Sequence, residues 1–121
     1  MKQVLIVDDS EQIRERLAAL LAESSKISLV GQAGDGQEAL KAIERLMPDT
    51  VILDIRLPGS SGIEVLRQVK ARHPEIQVIM LTNYDYAMYR QQCRLLGADH
   101  FLNKTREFEK IVTAIMNEPT Q

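Results

Sequence analysis

Three acidic residues in this chain stand directly behind short apolar runs. Asp8 and Asp9 follow Val4-Leu5-Ile6-Val7, and Asp54 follows Val51-Ile52-Leu53. Thr82 follows Val78-Ile79-Met80-Leu81, and Lys104 lies just past the run Ala98 to Leu102. Brought together, these groups have a definite chemistry. Three carboxylates a few ångström apart repel, and desolvation sharpens the repulsion, so some bind protons unless a cation intervenes. An oxygen-only donor set on a small, partly open site favours a hard cation such as Mg2+, which keeps waters and accepts a phosphate oxygen. One carboxylate can then act as a nucleophile on phosphorus and form an aspartyl phosphate. The cation and a lysine would neutralise charge on the transferring oxygens, and a threonine hydroxyl could donate a hydrogen bond to the same group. Taken singly, the residues have plainer readings. Asp9 could cap a first helix, Thr82 could be a turn residue and Lys104 a solvated charge.

The elements that must position these residues are legible. Val4–Val7, Ile27–Val30, Val51–Leu53 and Val78–Leu81 read as strands covered on both faces, because they lack polar alternation. Ala98–Leu102 is a weaker fifth. Between them, helical spacing places Ile13, Leu17, Leu20 and Leu21 on one face, then Leu40, Ile43 and Met47, then Ile63, Leu66 and Val69. A last helix carries Phe108, Ile111, Val112 and Ile115. Asp35 and Glu38 have capping-box spacing, His73-Pro74 stops the third helix, and Gly97 stops a fourth spanning about 85–96. Strands alternating with helices imply right-handed crossovers and a mainly parallel sheet with helices on both faces. Ligands in such sheets bind at the carboxyl ends of the strands, where all five polar positions fall. Asp54 is the best nucleophile candidate, because it stands alone at the centre of the sheet.

The chain has 121 residues, 45% of them hydrophobic and 26% charged, which suits one globular domain over 1–121 with 117–121 as a tail or the start of a linker. Fifteen basic residues against seventeen acidic ones give a net charge of −2, which argues against binding nucleic acid through a basic face. The single cysteine, Cys93, cannot form an internal disulfide, so a reducing cytoplasm fits best. The longest apolar run, Leu17–Ala22, is far short of the ~20 residues a membrane-spanning helix needs.

Val4–Ser10 (VLIVDDS), Pro48–Gly59 (PDTVILDIRLPG), Thr82 and Gly97–Lys104 (GADHFLNK) resemble, in order and spacing, the receiver domain of bacterial two-component response regulators. The resemblance runs from residue 2 to about 117. It implies a flavodoxin-like α/β fold, a doubly wound five-stranded parallel sheet of order 2-1-3-4-5 with five helices. It further implies that Asp54 is the phospho-acceptor, taking its phosphoryl group from a sensor histidine kinase or a phosphotransfer protein. Asp9 would then ligate Mg2+ directly and Asp8 mostly through water, with Asp54 and the backbone carbonyl of Arg56 completing the protein ligands. Thr82 would move toward the phosphoryl group, Lys104 would pair with one of its oxygens, and Phe101 would be the switch aromatic. Their movement would reshape the face made by the fourth helix, fifth strand and fifth helix. That face would control a downstream effector protein or an output domain of the same protein, or engage a second copy as a homodimer. A direct nucleic-acid contact, a membrane contact and an external enzymatic product are not expected.

The chain departs from the family pattern at several positions. Thr105 follows Lys104 where proline is usual, and a cis bond to threonine costs about 3 kcal/mol over trans, so the geometry of this loop is open. Ser60, Asn83, Tyr84 and Arg56 replace other usual residues around the site, and the bulk of Arg56 and Tyr84 predicts slow phosphoryl turnover. The fourth helix carries apolar residues on two stripes, Tyr84, Met88 and Leu95 beside Tyr89, Cys93 and Leu96, which marks a helix sunk in the core or facing a partner. His73 and His100 lack metal-ligand spacing. Two other classes compete. One is a receiver that no longer takes phosphate and serves as an adaptor. The other is a phosphohydrolase working through an aspartyl phosphate, which Arg56 disfavours by standing where a second Asp is wanted. A nucleotide-binding module is disfavoured because Asp8-Asp9-Ser10 replaces any glycine-rich phosphate loop.

Overall fold

The strands β1 (Lys2–Val7), β2 (Ile27–Ala33), β3 (Thr50–Leu53), β4 (Gln77–Thr82) and β5 (His100–Asn103) form one parallel sheet. Its order is β2-β1-β3-β4-β5, as expected. The computed structural model describes residues 1–117, so 118–121 of the expected tail lie outside the described residues. Helices α1 (Glu11–Leu21), α2 (Gly36–Leu46), α3 (Gly62–Arg72), α4 (Ala87–Leu95) and α5 (Ile111–Met116) make the connections, with a 3-10 turn over Phe108–Lys110 leading into α5. A short antiparallel ribbon, Arg56–Leu57 with Ser60–Ser61, follows β3. Among the described residues no helix is long and apolar enough to cross a membrane.

The strands read as unbroken apolar runs because each feeds two cores. Leu5, Val7, Val51, Leu53, Val78 and Met80 face α2, α3 and α4, where Ala39, Ile43, Leu66, Val69 and Cys93 complete a buried cluster. Their neighbours Val4, Ile6, Ile52, Ile79 and Leu81 face the other way, against Leu17 and Leu21 of α1 and Ile111 and Ile115 of α5. Successive side chains of a strand point to opposite faces, so alternate residues fill alternate layers.

Some local expectations hold and others change. The Ser10 Oγ accepts from the Ile13 N–H at 3.2 Å, so Ser10, not Asp9, caps α1. Asp35 caps α2 by accepting from the Glu38 N–H at 2.7 Å, while Glu38 reaches back to the Gly34 N–H. Met47, expected on the inner face of α2, falls past its end at φ 44° and is 45% exposed. β2 runs on to Ala33, because its last residues pair with Leu5–Val7 at the sheet edge. Phe108 is buried, but on the 3-10 turn. α4 starts at Ala87 rather than Asp85 and ends as expected at Gly97, whose φ of 101° allows the paired 3.0 Å closing bonds Gly97 N to Arg94 O and Ala98 N to Cys93 O. Only one of its two apolar stripes is core: Cys93 is buried and Tyr89 and Leu96 pack beside it, whereas Met88 and Leu95 are each 74% exposed.

Candidate functional site

The main-chain ladder carries the polar residues to one edge. Val7 lies beside Leu53, Leu53 beside Met80, and Thr82 beside Asn103. The bonding continues one step past the strands, with Asp8 N to Ala33 O at 3.0 Å, Asp54 N to Val7 O at 3.1 Å and Lys104 N to Thr82 O at 2.9 Å. Residues drawn from the whole length of the chain therefore meet at the carboxyl ends of β1, β3, β4 and β5.

Asp8 and Asp54 are buried, and Asp9 is exposed. One carboxylate oxygen from each of the three lies within 4.8 Å of the others. The Lys104 ammonium is shared between two of them, 2.7 Å from Asp54 Oδ2 and 2.6 Å from Asp8 Oδ2. The remaining oxygens are held by main chain: Asp54 Oδ1 accepts from Ile55 N–H at 2.7 Å, and Asp8 Oδ1 from Ser10 N–H at 2.8 Å. Burial pushes the Asp8 carboxyl above its ordinary value, against the opposing pull of Lys104 and the Ser10 N–H. Burial also works against the Lys104 ammonium, but hydrogen bonds to Asp54 and Asp8, with their charges, outweigh it and raise its pKa. One ammonium thus faces three carboxylates, a site short of positive charge.

Local backbone chemistry explains the presentation of Asp54. Gly62 N donates to Ile55 O at 2.7 Å, folding the chain so tightly that a Cβ on Gly62 would lie 1.8 Å from the Asp54 carbonyl oxygen. Pro58-Gly59 turns the ribbon, with Gly59 at φ 73° as a type II turn demands at its third residue. Arg14 supports the acidic turn from α1, donating to the Asp8 carbonyl at 2.6 Å and to Gln32 Oε1 at 3.2 Å. Beside the acids is an open cleft of about 390 Å³ lined by Asp9, Asp54, Arg56, Leu57, Pro58 and Tyr84. Across it the Arg56 guanidinium stacks 4.8 Å from the centre of the Tyr84 ring.

Thr82 is buried, and its Oγ1 accepts from Tyr84 N–H at 3.1 Å, which leaves the hydroxyl hydrogen free to be donated elsewhere. Phe101 packs against the core below α4, with the Arg90 guanidinium 4.7 Å above its ring. Arg90 in turn pairs with Asp85 and lies 3.7 Å from Glu107. The Lys104–Thr105 bond is trans, as is every peptide bond among the described residues.

The expected site residues Asp8, Asp9, Asp54, Thr82 and Lys104 converge. Phe101 lies opposite Met80 in the β4–β5 ladder, two positions before the pair Thr82 and Asn103. Arg14, Arg90 and Asn103 were not anticipated. Asp85 and Arg90 are five apart, a spacing that no helical-face rule flags. Asn103, by contrast, sits where an Asx turn could be read. Cys93 is buried, its thiol pushed up to about 11 by desolvation. His73 bonds Glu44 at 3.0 Å and His100 bonds the Asn117 carbonyl at 3.1 Å, both away from the site.

The family model of the response regulator receiver domain matches residues 4–116. This chain belongs to that family. Among similar proteins, the response regulator GacA of Pseudomonas viridiflava is 33% identical over 95% of this chain and 54% of its own length. The chain therefore spans about half the length of the curated relatives it matches. Among solved structures, the response regulator domain of Thermotoga maritima CheB has a TM-score of 0.86 at 29% identity, covering 98% of this chain and 99% of that one. The CheY of a CheX-CheY-BeF3-Mg+2 complex from Borrelia burgdorferi has a TM-score of 0.89 at 27% identity, covering 95% and 87%. The receiver fold and the two-component class are thereby established for this chain, in agreement with the resemblance in its motifs.

Proposed function

We propose that this receiver domain, taken as one unit over 1–121, accepts a phosphoryl group on Asp54 and switches a protein surface in response. The observation that carries the reading is Lys104, whose ammonium bridges Asp54 and Asp8 beside a third carboxylate, Asp9, that forms no ion pair with the described residues. The donor set fits a hard divalent cation, since it is all oxygen, compact and open to water on the Asp9 side. Asp8, Asp9, Asp54 and the Arg56 carbonyl would hold Mg2+, which supplies positive charge beside the transferring phosphoryl oxygens.

The chain's own residues do the rest. An Asp54 carboxylate oxygen attacks phosphorus as the bond from phosphorus to the donor breaks, and the donor imidazole of a histidine kinase or phosphotransfer protein leaves with the electron pair. Lys104 stays protonated and shifts from the carboxylate to a phosphoryl oxygen. Thr82 turns its hydroxyl hydrogen toward another. Phe101 follows Thr82 inward, and the surface of α4, β5 and α5 changes for an effector, an output domain or a second copy. Intact mass after incubation with Mg2+ and acetyl phosphate tests the reading. We expect one phosphoryl group, dependent on Mg2+ and absent in Asp54→Asn. Folded protein that gains no mass would overturn it.

A further inference from the structure

The loop that carries Lys104 lacks a proline, and its peptide bonds are trans. Other groups must hold it. The β4–β5 register ends at the pair Thr82 and Asn103. Beyond it, Lys104 N–H donates to Thr82 O at 2.9 Å, and then side chains take over. Thr105 Oγ1 donates to Asn83 Oδ1 at 2.8 Å. Asn103 Oδ1 accepts from both Thr105 N–H and Arg106 N–H at 2.9 Å, while its own N–H donates to Glu107 Oε1 at 2.9 Å. The turn is thus closed on both sides of Lys104. A second tie, Arg106 to Asp85 at 2.9 Å, lies farther along both loops.

We propose that Asn83 and Thr105 form a clamp that positions Lys104 and Thr82 relative to Asp54, and that it sets the rate of phosphoryl uptake. Thr105 directly follows Lys104 and Asn83 directly follows Thr82, so one hydrogen bond locks together the two loops whose side chains must meet the same phosphoryl group. The geometric demand is strict. The Lys104 ammonium sits within 2.7 Å of two carboxylates through a long flexible stem, and small misplacement of a charged group costs rate steeply. Both clamp residues are positioning residues: neither touches the carboxylates. The proposal rests on the reading of Asp54 as acceptor.

The test is a double-mutant cycle with Thr105→Val, Asn83→Ala and the pair, followed by intact mass during phosphorylation by acetyl phosphate in Mg2+. Each single variant is expected to slow uptake about two- to tenfold, the effect of one lost hydrogen bond. The double variant should be no slower than the slower single, because both remove one interaction. Thr105→Ser, which keeps the hydroxyl, should retain the wild-type rate. Mg2+ affinity by calorimetry should not change, and the melting temperature should fall by no more than a few degrees, alike in both single variants. Additive rate losses, unchanged rates, or losses that track melting temperature would overturn the clamp. Wild-type protein that takes up no phosphoryl group would instead overturn the reading of Asp54 and the clamp with it, so the two failures are distinguishable.

Discussion

Replacing Asp8 with asparagine should make the cation-free protein more stable, although it removes a buried ion pair. The Asp8 oxygen lies 2.6 Å from Lys104, and within 4.8 Å of oxygens from both Asp9 and Asp54. At an effective dielectric of about 20, the attraction is worth roughly 6 kcal/mol and each repulsion at least about 3.5 kcal/mol. The Asp54 repulsion takes back part of the attraction, and burial, the largest influence, leaves the Asp8 pKa raised. Lys104 keeps Asp54 at 2.7 Å in the variant, so no buried charge is orphaned. We expect Asp8→Asn to gain on the order of 1 kcal/mol, a melting temperature about 3–5 °C higher, in chelator at pH 8. The sign with pH follows from the raised native pKa. Wild-type Asp8 contributes stability only while protonated, and that contribution is lost as pH rises through its folded-state value. The advantage of the variant should therefore shrink in acid, where both side chains are neutral. Saturating Mg2+ should reverse the order, since wild type gains about 2.7 kcal/mol at a hundred times Kd and the variant binds more weakly. Thermal melts in chelator and in Mg2+, at pH 8 and down a descending pH series, read these cases. A variant less stable than wild type in chelator at pH 8 would refute the charge argument.

Three further outcomes are expected. Gly62→Ala should cost more than about 3 kcal/mol and impair phosphorylation, because its Cβ would meet the Asp54 carbonyl oxygen at 1.8 Å; urea denaturation measures the loss. Arg56→Ala and Tyr84→Ala should each speed loss of the phosphoryl group several-fold by opening the stacked cover at the cleft, read as decay of the phosphorylated mass after donor removal. Met88→Asp should leave stability within about 0.5 kcal/mol, since the side chain is 74% exposed, while weakening effector binding or self-association measured by ultracentrifugation.

The sheet and its order were readable because strands filled on both faces leave unbroken apolar runs, and the acids at their ends carry the family motif. Other features had no such signature. β2 continues to Ala33 through Gly31 and Gln32, where an edge strand no longer needs an apolar side chain on every face. The α4 start depends on Asp85 turning its carboxylate to Arg90 and Arg106, a choice made by residues distant in sequence. Apolar spacing correctly marked two stripes on α4, but spacing cannot say which of them the fold covers. Competition between neighbouring caps is likewise decided by geometry: Ser10 rather than Asp9 reaches the Ile13 N–H in the first turn of α1, which leaves Asp9 facing the cleft.

The two halves of the site are held by different kinds of bond. Asp8 and Asp54 are fixed by main-chain donors, Ser10 N–H and Ile55 N–H, and by the ladder that runs on from β1 and β3. Those bonds do not change partners when charge at the site changes. On the β4–β5 side the main-chain ladder ends at the Lys104 N to Thr82 O bond, and beyond it the ties are side chains: Thr105 on Asn83, Asn103 on its own turn, Arg90 over Phe101 and onto Asp85. Such ties are exposed or half-exposed, worth about 1 kcal/mol each, and able to exchange acceptors. A phosphoryl group placed on Asp54 adds charge at a point that Lys104 and Thr82 share. On the proposed function, the rearrangement would pass into the half held by exchangeable side-chain contacts, toward Phe101 and the exposed face of α4. On the proposed reading, the main chain would hold the acids in place while the side-chain ties of the β4–β5 loops carry the change outward.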